Sequence, residues 1–460
     1  MKPANHLILF FLFTLGSCGT GFLDVKPDQQ QRTPSTLEDY LGLMDYESMN
    51  RFSSHALGII GADEMYLTEM EYESFPTGAA SKYQKNAYVW EDIIYEGGEP
   101  NAIDWSRGYW HILFCNLALD GTASLGPGTQ RELWELVRGM AFFHRAFNYY
   151  NLAQLYCNVY DPLTAEADLG LPLRTDPDVS EWVPRASLKE TYARILADLG
   201  EAEKLLPEYP ETRFRPSKWA VYALLSRVCL QMEDYAMAAG YASDCLAIDN
   251  SLMDYNTLDM EAEYPFPIYG EGNAEVIFNC TLDHGISMTQ VYYNADTSLL
   301  ASYGSHDLRR DAFFLENTQG LTRFRGSYFG TLHYFTGLAT DEVYLARAEA
   351  LARLNRLPEA LADLNTLRRH RLETLHYTPL ATEDKHLLLS MIIAERRREL
   401  VMRGTRWEDL RRYNKSPESA VTLVRVLGDR RFELSPGGPK WVWPLPQEAV
   451  LVGNYQQNER

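Results

Sequence analysis

Two distant stretches of this chain repeat one spacing of residues. Tyr222, Ser226, Cys229, Ala238, Ala242 and Cys245 are spaced as are Tyr344, Ala348, Leu351, Ala360, Leu364 and Leu367, with offsets of 0, 4, 7, 16, 20 and 23 in both. Offsets of four and seven fall on one face of a 3.6-residue helix. The gap before the next face leaves room for a tight turn, at Glu233-Asp234 in one copy and Asn355-Arg356 in the other. Ser226, Ala238, Ala348 and Ala360 are small where paired helices would cross closely. The pattern is that of stacked tetratricopeptide-like helix pairs, each burying its apolar face against the next. Cys229 and Cys245 then lie on facing helices of one pair, where a disulfide is one possible state and two free thiols the other.

Helical periodicity extends well beyond the repeat. It predicts helices over 36–46, 101–120, 131–156, 187–206, 217–232, 235–248, 341–354, 358–371, 383–403 and 405–413, with stop signals at Gly121, Pro207, Pro216 and Pro358. Residues 61–100 and 249–340 lack this order and are rich in Tyr, Phe, Gly, Asn and Pro. They are too long to be simple connections and read as the irregular, functional surface. The proline-broken tail, 432–455, reads as extended chain packed on the rest. The fold expected is mainly α: helix pairs supporting a loop-rich half with minor β.

The chain's 43 Lys+Arg against 63 Asp+Glu leave a net charge of −20. That balance argues against binding nucleic acid through its phosphates, and against adsorption to anionic lipid. The start of the chain predicts another kind of membrane attachment. Lys2 precedes an apolar run from Leu7 to Leu15, which is too short to span a bilayer and reads as a signal peptide. Leu15-Gly16-Ser17-Cys18 looks like a lipobox. Residues 1–17 would be removed and Cys18 acylated, with several acyl chains giving stable anchoring; the alternative is an ordinary secretory signal with an incidental cysteine. Residues 18–35 read as anchor and extended lead-in. The five other cysteines show no zinc-like or CxxC spacing and read by default as buried thiols.

Several separate motifs resemble the SusD/RagB family of Bacteroidetes surface lipoproteins. They are Phe22-Leu23-Asp24-Val25-Lys26-Pro27 after the lipobox, Gly61-Ala62-Asp63-Glu64-Met65, and Trp105…Tyr109…Ile112…Asn116. Arg138–Ala146 with Tyr149–Tyr156, Pro184-Arg185-Ala186-Ser187 and Ala348-Glu349-Ala350 follow. Glu395–Leu400 with Arg406-Trp407-Glu408-Asp409-Leu410, Trp443-Pro444-Leu445-Pro446, and Asn454 with Gln457-Asn458 complete the order. Two positions depart from the pattern. Ala339 stands where arginine is usual, and Arg403 where glutamate is expected, which puts local ion pairs in question. The resemblance divides the chain into an N-terminal region, 36–215, and a C-terminal region, 216–460. It implies a non-catalytic protein exposed on the outer membrane, tethered only through Cys18. It also implies a SusC-like TonB-dependent transporter as partner and an oligosaccharide or peptide as ligand, with no cofactor; structural calcium is not readable from the sequence.

Sugar capture needs flat aromatic faces beside amides and carboxylates. In the two irregular regions the candidates are Tyr83, Asn86, Tyr88 and Trp90, with Tyr292, Tyr293 and Asn294; the competing reading is that these aromatics pack the loops onto the helices. Two further readings are a helical scaffold without its own soluble ligand and a glycoside hydrolase. The latter would need two placed carboxylates, for which Asp63-Glu64 could be imagined. No GxSxG, HExxH or phosphate-loop motif occurs, and the ten His show no metal-ligand spacing. His144 reads as a packed or capping residue. The arginines of 396–412 interleave with Glu395, Glu399, Glu408 and Asp409, which reads as a solvated or ion-paired structural face.

Overall fold

The structure, a computed structural model, describes residues 34–51, 53–76, 78–96, 103–282 and 293–460. The expected signal segment, Cys18 and Tyr292 lie outside the described residues. Helices form close to where the periodicity places them: Leu37–Met44, Arg131–Tyr156, Leu188–Leu205, Lys218–Gln231, Tyr235–Ile248, Thr340–Arg353, Leu357–Arg369, Lys385–Glu399 and Thr405–Tyr413. Local chemistry sets several starts. Thr36 with Asp39 and Ser187 with Glu190 form capping boxes, and the Asp234 carboxylate accepts from the Met237 N–H at 3.1 Å.

Packing runs from pair to pair. Ile103–Leu125 lies on Arg131–Tyr156, which also packs on Leu188–Leu205. Lys218–Gln231 packs on Tyr235–Ile248, and that helix packs directly on Thr340–Arg353. The two repeat copies are therefore spatial neighbours, and residues 249–339 form an excursion between them. At the crossing within the first copy the Ser226 hydroxyl donates to the Ala238 carbonyl at 3.1 Å, and Ala238, Ala348 and Ala360 are fully buried. Cys229 and Cys245 are free buried thiols, as are Cys115, Cys157 and Cys280. The Cys245 thiol instead faces the Trp219 carbonyl at 3.6 Å.

Three expectations change. Gly121 does not end its helix, which runs from Ile103 to Leu125. A Cβ at Gly121 would lie 2.0 Å from the Tyr40 ring, so glycine there serves the close approach of the Leu37–Met44 helix. The 61–100 region contains a ten-residue helix, Ala79–Tyr88, hidden in the sequence by its polar composition; Tyr83 and Ala87 form its buried i, i+4 face. The tail is not wholly extended. It carries a short helix, Gln447–Gly453, that starts beyond Pro446, and its first residues complete a hairpin of Leu423–Leu427 with Arg430–Leu434. The 249–339 excursion is irregular as expected, with strands of two or three residues paired antiparallel.

The arginine-rich segment is buried and ion-paired rather than solvated, and most of its partners are remote in sequence. Arg396 pairs with Asp409 at 3.0 Å, Arg412 with Glu349 at 2.5 Å, and Arg406 with Asp63 at 2.7 Å. Arg411 donates to the carbonyls of Gln154 and Cys157, satisfying the C-terminal end of the Arg131–Tyr156 helix. A second cluster ties the excursion to the helices. Arg371, fully buried, bridges Glu275 at 2.8 Å and Glu399 at 2.7 Å. Arg309 bridges Asp307 at 2.7 Å and Glu399 at 2.8 Å. Arg403, the departure from the family pattern, reaches Asp341 at 2.5 Å and lies 4.1 Å over the Tyr328 ring. Ala339 takes no part in this web; it sits as the N-cap of Thr340–Arg353, paired in register with Val276. His144 is packed as expected, buried against Phe278 with ring centroids 5.7 Å apart.

Candidate functional site

Of the residues anticipated as ligand contacts, Tyr83, Tyr88, Trp90, Tyr293 and Asn294 lie inside the protein. Tyr83, Tyr88, Trp90 and Tyr293 are each no more than 3% exposed, and Asn294 is fully buried. Tyr83 stacks on Tyr95 at 5.6 Å. The Tyr88 hydroxyl accepts from the Leu67 N–H at 2.7 Å while the Arg425 guanidinium lies 3.8 Å over its ring. Trp90 donates its indole N–H to the Gly61 carbonyl at 3.1 Å. Tyr293 packs 6.1 Å from Tyr88, and Asn294 donates to Glu71 at 2.7 Å beside the pairing of Met65–Tyr66 with Asn294–Ala295. Asn86, partly exposed, donates to the Ile94 carbonyl at 3.2 Å. The two irregular regions thus meet as a packed core, and a ring buried on both faces offers none to a sugar. Burial of these rings favours the competing reading, in which the aromatics pack the loops onto the helices.

The carboxylates Asp63 and Glu64 are also committed. Burial acts to raise the Asp63 pKa, but Arg406 and Arg397 outweigh it and hold the carboxyl down at about 2. Burial pushes its neighbour Glu64 up to about 8, although one oxygen accepts from the Met402 N–H at 2.9 Å.

Tyr88, Trp90 and Asp63 line a small recess of about 220 Å³, and a wider concavity lies elsewhere. A cleft of about 980 Å³ is bounded by three segments: the start of the Ile103–Leu125 helix, the loop through Arg174–Trp182, and the stretch Pro446–Tyr455. Trp105, Tyr109 and Trp110 present one wall. Trp105 lies 4.6 Å from Tyr109 and 6.3 Å from Tyr455, ring to ring. Tyr109, Trp110 and Tyr455 are partly exposed and Trp182 is 55% exposed, so unlike the buried set these rings keep faces open. Arg174, Asp176, Glu181, Gln447 and Glu448 supply polar groups among them, with Asn116 buried behind.

Motif residues build this cleft from behind. The Asn116 amide donates to the carbonyls of Arg174 at 3.0 Å and Asp176 at 3.3 Å, fixing the loop; Tyr149 donates to the Arg174 carbonyl at 2.6 Å. Arg145 holds Asn116 in turn and pairs with buried Asp198 through two bonds of 2.7 and 2.8 Å. Gln457 bonds the Leu445 backbone at both its N–H and its carbonyl. Asn458 donates to the carbonyls of Tyr156 and Trp443 at 2.9 and 2.8 Å and accepts from Arg185 at 2.8 Å. Trp182 donates to the Gly453 carbonyl at 2.7 Å, linking two walls. Trp110, Trp182 and Tyr455 were absent from the sequence candidates. The available signal was a tryptophan in a polar, proline-flanked loop, where no core periodicity demands one.

A helix-pair protein with an aromatic-walled cleft is the class that fold and site define. Residues 21–230 match the family described as "Starch-binding associating with outer membrane", and residues 340–459 match the SusD family, which together cover well over half of the chain. The chain belongs to the SusD/RagB family. It is 22% identical to the SusD-like protein P38 of Formosa agariphila, over 96% of this chain and 95% of that one. A second Formosa agariphila relative, SusD-like protein P2, is 25% identical over 77% of this chain and 79% of its own length. The fold is shared with a putative sugar binding protein from Bacteroides vulgatus, at TM-score 0.74, 18% identity and coverage of 93% and 99%. It is also shared with surface glycan-binding protein A from Bacteroides uniformis, at TM-score 0.70, 16% identity and coverage of 92% and 100%. Among the described residues no helix is long and apolar enough to cross a membrane.

Proposed function

We propose that this protein binds an oligosaccharide in the cleft between Tyr109, Trp110, Trp182 and Tyr455. It would deliver that nutrient to a SusC-like TonB-dependent transporter while tethered to the outer membrane through Cys18. The observation that carries the reading is the set of partly exposed rings around one wide cleft, with the Gln447 amide and several carboxylates between them. Aromatic faces cover the C–H surfaces of pyranose rings, while side-chain amides and carboxylates take their hydroxyls. Lining charges are Asp176, Glu181 and Glu448 against Arg174 alone, which favours an uncharged glycan over a uronate or sulfated one. The sugar- and glycan-binding names of two proteins sharing the fold, and the starch-binding description of the matching family, support the ligand class.

A binding screen of residues 19–460 against neutral glycans, acidic glycans and peptides tests this, with mass spectrometry of each ligand afterwards. Saturable binding of a neutral glycan, recovered intact and weakened by Trp182→Ala, is expected. Preference for peptides or acidic glycans, a cleaved product, or no ligand at all would overturn the reading; the last two would turn attention to the hydrolase and the scaffold respectively.

A further inference from the structure

Far from the cleft, His306, Glu373 and His376 converge on the surface. His306 Nδ1 lies 3.0 Å from Glu373 Oε2, and His376 Nε2 lies 3.6 Å from the same oxygen. The two imidazole rings are stacked with centroids 3.5 Å apart and planes 8° from parallel. The shared carboxylate oxygen gathers a nitrogen from each ring and an oxygen into one small volume.

The backbone beneath these side chains is fixed. The Glu373 N–H donates to the His306 carbonyl at 3.0 Å, the Leu308 N–H to the Arg371 carbonyl at 2.9 Å, and Asp307 bridges Leu372. Thr374–His376 form a 3-10 turn whose first N–H donates to Asn256 at 3.1 Å. Glu373 and His376 are thus one turn apart, and His306 arrives from a separate segment.

We infer that His306, Glu373 and His376 form a binding site for one divalent transition-metal ion, zinc being the best fit. Two imidazole nitrogens and one carboxylate oxygen are a zinc donor set; calcium and magnesium prefer all-oxygen shells. The three ligand atoms lie within 4.8 Å of one another. Zinc bonds of ~2.0–2.1 Å imply tetrahedral edges of roughly 3.3 Å, which the exposed side chains would reach by rotating the two rings out of their stack. Side chains 43 to 48% exposed leave the fourth position to water. The other convergent acid cluster, Glu275, Asp341 and Glu399, offers no such site, because Arg371, Arg309 and Arg403 already neutralise it. An ion at His306 would clip the excursion loop to the segment that follows the Leu357–Arg369 helix. The sequence concealed the site because His306 is 67 residues from Glu373.

The test is isothermal titration of the soluble chain, residues 19–460, with zinc chloride, alongside melting curves with and without the metal. One equivalent per chain is expected, with a rise in melting temperature on saturation. His306→Ala and His376→Ala should each weaken binding at least tenfold and abolish the rise, while leaving the metal-free melting temperature unchanged. His306→Gln repeats the test should the alanine variant alter folding. No binding to the parent chain, or binding and stabilisation that survive both substitutions, would overturn the inference. The outcome is independent of the glycan reading.

Discussion

Arg145 donates to the Asn116 side-chain oxygen at 2.9 Å, deep behind the cleft, and Asn116 turns its amide outward to hold the loop at Arg174. Asn116→Ala removes the link between core and loop and leaves one arm of a buried guanidinium without its partner. Arg145 keeps Asp198, so the fold should survive at a cost of about 1–3 kcal/mol. Glycan affinity should fall as well, although Asn116 is mostly hidden. Denaturant midpoints and a binding isotherm on the same sample check both effects; unchanged affinity would detach the loop from the site.

Trp182→Ala and Trp110→Ala should each weaken glycan binding by roughly tenfold, a loss of about 1–2 kcal/mol, with melting temperatures close to the parent. Trp90→Ala should do the reverse. It removes a buried ring and its bond to Gly61, costing about 3–5 kcal/mol of stability. A stable Trp90→Ala protein with selectively lost binding would return the site to the inner aromatic cluster.

Arg403→Ala leaves the buried Asp341 carboxylate without its salt-bridge partner, at a cost of about 3–5 kcal/mol. A paired change, Arg403→Met with Asp341→Leu, should recover much of that loss, because it removes both charges rather than one. Urea denaturation of the two variants separates an unpaired charge from lost packing.

Glu64 should make the protein less stable as pH rises. Its folded pKa is raised to about 8 from 4.5, so its contribution is fully present below about 4.5 and is lost progressively up to about 8. Each pH unit within that window is worth roughly 1.4 kcal/mol. Buried His55, lowered to about 3, acts oppositely: its contribution is present above 6.5 and is lost as pH falls. The informative quantity is therefore the difference in melting temperature between Glu64→Gln and the parent. It should grow in favour of the variant from pH 5 to pH 8; a flat difference would show Glu64 ionised in the fold.

Thiol titration of unfolded, unreduced chain beginning at residue 19 should count five free thiols, since Cys229 and Cys245 are unpaired. A count of three would indicate a disulfide.

The helical frame was legible because contact order there is local. Tyr222 to Cys245 and Tyr344 to Leu367 each specify one pair, and the small residues at the crossings specify how the helices meet. The cleft was hidden because its walls come from segments near 110, 180 and 450, which no window of sequence brings together. The aromatic excursion misled for a different reason. A long segment without helices still builds a core of its own, in which Phe266 stacks on Phe313 at 5.6 Å and packs on Tyr328 at 5.4 Å. Its tyrosines are held there by buried charge, as Tyr328 is by Glu275 and Asp341. The mixture of rings and polar groups that suggests an exposed sugar site is equally the composition of a polar interior.

The clamp of Asn458 on the Tyr156 carbonyl joins positions 302 residues apart. Cutting the chain between the two segments that match the family would therefore not yield a helical half that retains the ligand. An N-terminal fragment would keep Trp105, Tyr109 and Trp110 but lose the wall carrying Tyr455, and would expose the end of its longest helix. A C-terminal fragment would hold the opposite wall with nothing to lean on. Affinity for sugar should thus be the last property a refolding chain regains, appearing only after its most distant ends have met.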